Sequence, residues 1–228
     1  MKLKKILGNS IILTMVLFVL CSSVFLSQTT LSVNVKTPTY KGSSDDKVSL
    51  MFNVYWGTEY VEPILDVLKS YEIKTTFFVG GCWVEKNHET LRKIYTQGHE
   101  IGNHGYFHKD HKSISSAENK NEIETCHKLV KAVIGVEMNL FAPPSGSFSQ
   151  NTLDIAEEMG YNSIMWSLDT IDWRDKDVSL IVKRATENVS GGDLILMHPT
   201  KSTLEALPKI IEKLIEKELK VSRVSDVL

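Results

Sequence analysis

The sequence predicts an α/β protein with a parallel β-sheet, and two of its features carry this prediction. From Lys47 onward, short segments rich in apolar, β-branched and aromatic residues alternate with longer segments whose apolar residues recur with a period near 3.6. Repeated strand–helix units of this kind form parallel sheets with helices outside, either open or closed as a barrel. The 228 residues, 42% hydrophobic and 24% charged, fit one globular domain plus a short extra segment.

Six strands and several helices are predicted in chain order. The strands are Val48–Val54, Thr75–Val79, Glu100–Asn103, Leu140–Phe141, Ser163–Trp166 and Leu194–Met197. Three helix faces are formed by Ile64, Leu65 and Leu68, by Ile123, Val130 and Ile134, and by Leu207, Ile210, Ile211, Leu214 and Ile215. Asn87, Ser115 and Asp177 stand where helices would begin, and such side chains accept hydrogen bonds from the first backbone N–H groups of a helix.

The amino-terminal residues 1–28 are predicted to be a signal peptide or a membrane anchor. Lys2, Lys4 and Lys5 precede an apolar run from Ile11 to Leu26, a pattern typical of a secretory signal. The run is shorter than the roughly 20 residues that span a membrane, but no Ala-x-Ala cleavage site follows it, so an uncleaved anchor is the alternative. In either case the domain is exported. Residues 29–46 are predicted to be a polar linker and residues 47–228 the folded domain.

Charge and cysteine content exclude several classes of protein. The net charge of −2 and the pI near 6.4 give no basic excess, so we expect no nucleic-acid partner. Cys82 and Cys126 could form one disulfide, but two cysteines are no disulfide framework, and the lack of CxxC spacing disfavours a structural zinc site. We expect a monomer.

Polar residues follow three of the predicted strands, where the carboxyl ends of parallel strands collect reactive groups. His104 and His108 are four residues apart and would lie on one face of a helix, able to bind one metal ion together. Asp169 and Asp172 precede Trp173, and His198 ends an apolar strand. Asp172 and His198 together form a plausible acid–base pair, in which the carboxylate orients the imidazole. For each group taken alone, a structural role is the alternative.

The order of these segments resembles the polysaccharide deacetylase (NodB-homology) domain of the fourth carbohydrate esterase family. The matching segments are Phe77-Phe78-Val79-Gly80, Gly98 to His104, Pro143-Pro144, Asp169 to Trp173, and Leu194 to His198, and the resemblance covers residues 47–228. It implies a distorted (β/α) barrel that removes N-acetyl groups from amino-sugar polymers of the cell wall, peptidoglycan-like or chitin-like, with a divalent metal such as Zn²⁺ or Co²⁺.

The resemblance also implies roles for individual residues. His104 and His108 are the implied metal ligands, His198 the general acid and Asp172 the carboxylate that orients it. Substrate-binding positions follow in the same way; they are Trp173 and Leu196 beside the acetyl group, together with Pro144. Because aromatic rings stack on sugars, Trp56 and Trp173 are expected to face a glycan groove, and Trp83 and Trp166 to pack in the core.

The sequence departs from the family pattern where the general base belongs. Met51-Phe52-Asn53-Val54-Tyr55 stands in place of Thr-Phe-Asp-Asp-Gly, which puts Asn53 at the base position and Val54 at the third metal-ligand position. An Arg that pairs with the base in the family is Ala142 here, and Ile171 replaces another Arg. Two histidines alone should bind a metal weakly or not at all.

Two functions therefore remain open from the sequence. The first is a metal-dependent deacetylase of cell-wall amino-sugar polymers, with Glu59, Glu62 or Asp169 as a replacement carboxylate. The alternative is a catalytically inactive deacetylase-fold protein that binds glycan in the cell envelope or spore wall. Both place the protein outside the cytoplasmic membrane, secreted or anchored.

Overall fold

The computed structural model describes residues 14–18 and 36–228. Residues 14–18 are helical, and no helix among the described residues is long and apolar enough to cross a membrane. The predicted signal peptide or anchor otherwise falls outside the described residues. Residues 36–228 form one compact unit.

This unit is a parallel eight-stranded sheet surrounded by helices. The strands are β1 (Lys47–Val54), β2 (Thr76–Val79), β3 (Glu100–Asn103), β4 (Leu140–Phe141), β5 (Asn162–Ser163), β6 (Leu168–Asp169), β7 (Leu194–Met197) and β8 (Lys220–Val221). The helices are α1 (Thr58–Ser70), α2 (Gly81–Val84), α3 (His88–Thr96), α4 (Ser116–Ile134), α5 (Gln150–Glu158), α6 (Val178–Thr186), α7 (Lys201–Glu216) and α8 (Val224–Val227), with a 3₁₀ turn at Pro144–Gly146.

The sheet is curled into the predicted distorted (β/α) barrel. Its strand order is β5-β4-β3-β2-β1-β7-β6, with β8 paired to β1, and every pairing is parallel. The edge strands β5 and β6 follow each other in the chain, so residues 164–167 cross from one edge of the sheet to the other. All strands therefore end on the same rim, where loops can bring their side chains together.

The predicted linker is shorter than residues 29–46, because its second half pairs with the barrel. Thr39 forms a bridge with Ile164, after β5, and Lys41 forms one with Asp193, before β7. Lys41 also forms an ion pair with the buried Asp193, N to O distance 2.9 Å. Residues 39–41 thus connect the two sides of the gap in the sheet, and the contacts that hold them are too distant in sequence to leave a local pattern.

Strand β1 separates two apolar layers. Val48, Leu50, Phe52 and Val54 point into the layer between sheet and helices, which is the main core. Met51 points the other way, into a smaller cluster inside the barrel. Side chains alternate along a strand, so Asn53 shares the inner face with Met51 and stands at its rim end.

Most predicted elements are present, with defined exceptions. Ser115 forms a capping box at α4 and Asp177 caps α6, whereas the Asn87 side chain precedes α3 without capping it. The predicted strand at Ser163–Trp166 is wrong beyond Ile164, because the chain leaves the sheet there. Strands β6 and β8, two residues each, were not predicted, and Ile215 at the end of α7 is exposed. Cys82 and Cys126 are both free thiols, so they form no disulfide.

Candidate functional site

A cavity of about 620 Å³ opens at the rim where the strands end. Its lining comprises Asn53, Tyr55, Trp56, His104, His108, Ser145, Trp166, Asp169, Trp173, Leu196 and His198. Seven of the nine predicted site residues therefore share one cavity. The other two lie beside it: Asp172 is buried behind His198, and Pro144 is buried near Gly105.

His104 and His108 face each other across a loop after β3, not along a helix. Their ring centroids are 5.1 Å apart and the rings are nearly perpendicular. The Nδ1 of His104 lies 2.7 Å from the Ala142 carbonyl oxygen, which can only accept, so Nδ1 carries the proton and Nε2 keeps its lone pair. Burial, followed by repulsion from His108, lowers the pKa of His104 to about 3, and burial also lowers the pKa of His108. Both rings are neutral at pH 7.

This loop is held in place by side chains behind it. The Asn103 amide oxygen accepts the Gly105 N–H at 2.9 Å, and Glu122 accepts the N–H groups of Tyr106 and Phe107 at 3.0 and 2.7 Å. Gly105 has φ +70°, and a Cβ there would lie 3.2 to 3.3 Å from the side chains of His111 and Glu122, so any other residue would be strained. Glu122 was not predicted, because on a helix it has the pattern of a surface acid.

Backbone strain is concentrated at the same rim. His108 and Ser145, both of which line the cavity, have φ of +55°, and Ile171, between Asp169 and Asp172, has φ of +54°. Non-glycine residues rarely adopt this conformation, and they persist in it where surrounding contacts enforce it. The loops of this cavity are thus determined by tertiary contacts.

His198 lies at the end of β7 in a complete hydrogen-bond network. Its Nδ1 donates to Asp172 Oδ1 at 2.8 Å, and its backbone N–H donates to Asp172 Oδ2 at 2.7 Å. The Thr203 hydroxyl donates to the same Oδ2 at 2.6 Å. The Asp172 side chain is fully buried and the His198 side chain is 15% exposed. The carboxylate therefore fixes the ring so that Nε2 is the nitrogen left for a ligand.

Aromatic rings form much of the cavity wall. Trp56 stacks on His198 with centroids 5.8 Å apart and planes 4° apart, and Tyr55 lies 4.9 Å from His108. Trp56 and Trp173 are 44% and 54% exposed, as expected for a groove, and Trp83 is buried as expected. The prediction that Trp166 packs in the core is wrong: it is half-buried, and it lines the cavity because the chain leaves the sheet after Ile164.

Three positions where the sequence departs from the family pattern carry no charged group. Asn53 is 5% exposed, and its Oδ1 has no hydrogen-bond partner among residues 14–18 and 36–228. Val54 is fully buried among the apolar side chains between sheet and helices, so position 54 points away from the cavity. Ala142 is fully buried inside the barrel.

These residues do not complete a metal site. His104 and His108 present two nitrogens, but no group of three or more His, Cys, Asp or Glu side chains in the described part of the chain is arranged to hold a metal ion. Catalytic zinc sites use three protein ligands, and position 54, which would supply the third, is an apolar core residue. We therefore derive no catalytic step through a metal.

Of the three replacement carboxylates, only Asp169 reaches the cavity. Asp169 lines it, and its Oδ1 accepts the Ile171 N–H at 2.8 Å. Glu62 is exposed and pairs with Lys93 at 2.6 Å. Glu59 lines a neighbouring groove of about 530 Å³, which shares Trp56 and Trp173 with the cavity. The cavity and this groove therefore adjoin at the two tryptophans.

Comparison with known proteins agrees with this geometry. The polysaccharide deacetylase family model matches residues 40–164. Bacillus subtilis YlxY, an uncharacterized protein, is 38% identical over 192 residues, 84% of this chain and 60% of YlxY. A Bacillus cereus peptidoglycan-N-acetylglucosamine deacetylase is 31% identical over 175 residues, 74% of this chain and 82% of the relative.

Solved structures extend the likeness to three dimensions. The CE4 family pseudoenzyme BA3943 of Bacillus anthracis superposes with a TM-score of 0.82 at 37% identity, covering 84% of this chain and 68% of that protein. A mutant of that pseudoenzyme, described as having restored enzymatic activity, superposes with the same TM-score at 35% identity, over 84% of this chain and 71% of the mutant. The chain spans 60 to 66% of the length of the first curated relatives. The motif order, the parallel barrel and these matches show that the chain belongs to the polysaccharide deacetylase family.

Proposed function

We propose that this chain is a glycan-binding protein of the cell envelope whose cavity holds amino-sugar units of a peptidoglycan-type polymer. The observation that carries the proposal is that exposed tryptophans line the cavity while Asn53 and Val54 occupy the base and third metal-ligand positions. Trp56 and Trp173 line both the cavity and the adjoining groove, and relatives of the chain are peptidoglycan deacetylases.

Binding is favoured over hydrolysis because no general base stands at the base position. The Asn53 amide takes up no proton near neutral pH, and loss of a general base lowers rates by about 10² to 10⁴-fold. With only His104 and His108 as metal-binding nitrogens, we expect Zn²⁺ or Co²⁺ to bind weakly.

Deacetylation is the second candidate function, and the network at His198 favours it. His198, the candidate general acid, is hydrogen-bonded to Asp172, which also accepts from Thr203. Asp169 is a carboxylate in the same cavity. In this case His198 would protonate the leaving amine and Asp169 would activate water.

One pair of measurements separates the two functions. Binding predicts that the chain cosediments with purified peptidoglycan and that Trp56→Ala weakens this, while Tyr95→Ala, which removes an equally exposed ring on α3, does not. Deacetylation predicts acetate release from N-acetylglucosamine oligomers with added Zn²⁺ or Co²⁺, abolished by His198→Ala, with an active family member as the positive control. Acetate release that His198→Ala abolishes would contradict a purely binding role. Absence of cosedimentation would contradict the glycan proposal.

We also propose that residues 1–28 export the domain, as a cleaved signal or as an anchor, with residues 47–228 on the outer side of the cytoplasmic membrane. Fractionation of cells that express the full chain tests this. Recovery of the chain in the cytosol would contradict it.

A further inference from the structure

The charged residues that line the cavity indicate the charge of its ligand. Among the eleven lining residues there is no Lys or Arg, and Asp169 is the single Asp or Glu. The adjoining groove contributes two lysines, Lys176 and Lys201, and three acids, Glu59, Asp172 and Glu205, so it adds no excess of positive charge. The cavity itself therefore favours a positive charge on whatever binds in it.

Asp169 is free to accept from a ligand. Its Oδ1 accepts the Ile171 N–H at 2.8 Å, and it takes part in no ion pair within the described residues. Arg174 lies over the Trp173 ring at 5.7 Å from the centroid and bonds to Asp175 at 3.0 Å. Its charge also interacts with that of Asp169, but the two side chains form no ion pair and no Lys or Arg lines the cavity beside Asp169.

The other lining residues include hydrogen-bond acceptors and three tryptophan rings. His104 directs Nε2, with its lone pair, away from the Ala142 carbonyl, and the Asn53 amide, 95% buried, has an oxygen without a partner. Trp56, Trp166 and Trp173 surround the same space. Tryptophan faces attract cations within about 6 Å of the ring, more strongly when water is excluded.

We propose that this cavity binds the free ammonium group of a deacetylated amino-sugar unit in preference to an N-acetylated unit, with Asp169 as the counter-ion and Trp56, Trp166 and Trp173 as the walls. The inference rests on the proposed glycan-binding function and specifies its ligand. An ammonium group supplies three N–H donors and a positive charge, which match the acceptors and the carboxylate. An acetamido group supplies one N–H and no charge, so Asp169 would lack its counter-ion.

The test compares two oligosaccharides of equal length by calorimetric titration of the full chain. One is a glucosamine hexamer and the other an N-acetylglucosamine hexamer, at about pH 6, where an amine of this type is protonated, with EDTA present to remove metal. We expect the glucosamine hexamer to bind about tenfold more tightly. Asp169→Asn should remove this preference by weakening the binding of the glucosamine hexamer about tenfold.

The matched control is Glu62→Gln, which removes one negative charge outside the cavity and should leave the preference intact. Asparagine at 169 keeps an oxygen for the Ile171 N–H, so the loop should be retained. Trp173→Leu is a second variant at an exposed position, and it should reduce the preference about threefold.

Each other outcome overturns the inference. Equal or tighter binding of the acetylated hexamer refutes the ammonium preference while supporting the glycan-binding function. A preference that survives Asp169→Asn, or that Glu62→Gln abolishes, shows a general surface attraction for a polycation. Failure of both hexamers to bind contradicts this inference, and failure to cosediment with peptidoglycan would contradict the proposed function as well.

Discussion

The two walls of the cavity differ in how their polar groups are partnered. On the His198 wall, three donors converge on the buried carboxylate of Asp172. On the Asn53 wall, the amide oxygen has no partner among the described residues. The family's third ligand and its Arg are replaced by Val54, which points away from the cavity, and by Ala142, which is buried inside the barrel.

The difference follows from how the groups on each wall are paired. An Arg left at position 142 opposite Asn53 would be a buried charge without a partner, which is strongly destabilising, so losing one member of the pair favours losing the other. On the His198 wall, the side chains of His198, Asp172 and Thr203 are all hydrogen-bonded to one another through Asp172. Removing one of them would leave a buried polar group without its partner, which is also destabilising. We therefore expect substitutions at the two walls to have different effects.

The largest effect is expected at Val54. An aspartate there would place a carboxylate among apolar side chains between β1 and the helices, and an unpaired buried charge of this kind should lower the free energy of unfolding by about 4 kcal/mol. Urea denaturation of Val54→Asp measures this, with Val54→Thr, which keeps the shape and adds a hydroxyl, as the milder control. An unchanged midpoint together with a gain in bound Zn²⁺ would show that the end of β1 can turn position 54 toward the cavity.

The next largest loss of stability is expected on the His198 wall. Asp172→Ala should lower the free energy of unfolding by about 3 kcal/mol, because it leaves the donors of His198 and Thr203 without an acceptor in a buried place. Asn53→Ala removes an amide whose oxygen has no partner and should cost less than about 1 kcal/mol. Equal costs for the two variants would remove the contrast between the walls.

A pH dependence of about 2 kcal/mol is expected from the histidines of the loop after β3. Burial lowers the pKa of His104 to about 3 from 6.5, so between those values the unfolded chain binds more protons than the folded chain. Stability therefore falls as the pH falls, and from pH 7.5 to about 5 one such group contributes a loss of about 2 kcal/mol. Urea unfolding of His104→Gln at both pH values should show a correspondingly smaller loss. An identical pH dependence in the variant would mean that His104 is not held neutral by the fold.

The longer strands are predicted most completely, although β4, with two residues, is also predicted with its observed bounds. Strands β1, β2, β3 and β7, of four to eight residues, appear within one residue of prediction. Strands β6 and β8, of two residues each, are defined by hydrogen bonds to β7 and β1 and carry no periodicity of their own. Residues 39–41 were assigned to a linker for the same reason, since only distant partners hold them to the barrel.

Site features formed by residues close in sequence were predicted, and those formed by distant residues were not. The spacing of His104 and His108 predicts their proximity, although the helix assumed for them is a loop. Glu122, which holds that loop through two backbone N–H groups, and the Ala142 carbonyl, which fixes the His104 tautomer, lie 14 or more residues away. No pattern in the sequence links a helix acid or a backbone carbonyl to a histidine at such a distance, so only the fold reveals them.

The smallest effect tests whether the stability of the His198 wall is shared among its hydrogen bonds. Thr203→Val keeps the shape and removes one of the three donors to Asp172, which should cost about 1 kcal/mol in urea unfolding. Thr186→Val is the matched control: this buried threonine donates to the Val182 carbonyl within its own helix, and its loss should cost less than about 0.5 kcal/mol, because helical carbonyls already accept a backbone N–H. If both variants cost the same, the Thr203 hydroxyl contributes no more than an ordinary helix contact. A loss near 3 kcal/mol, as large as that of Asp172→Ala, would instead mean that the network forms only as a unit. In that case the wall must be kept whole whether or not it catalyses a reaction, and its survival beside Asn53 would follow from folding stability alone.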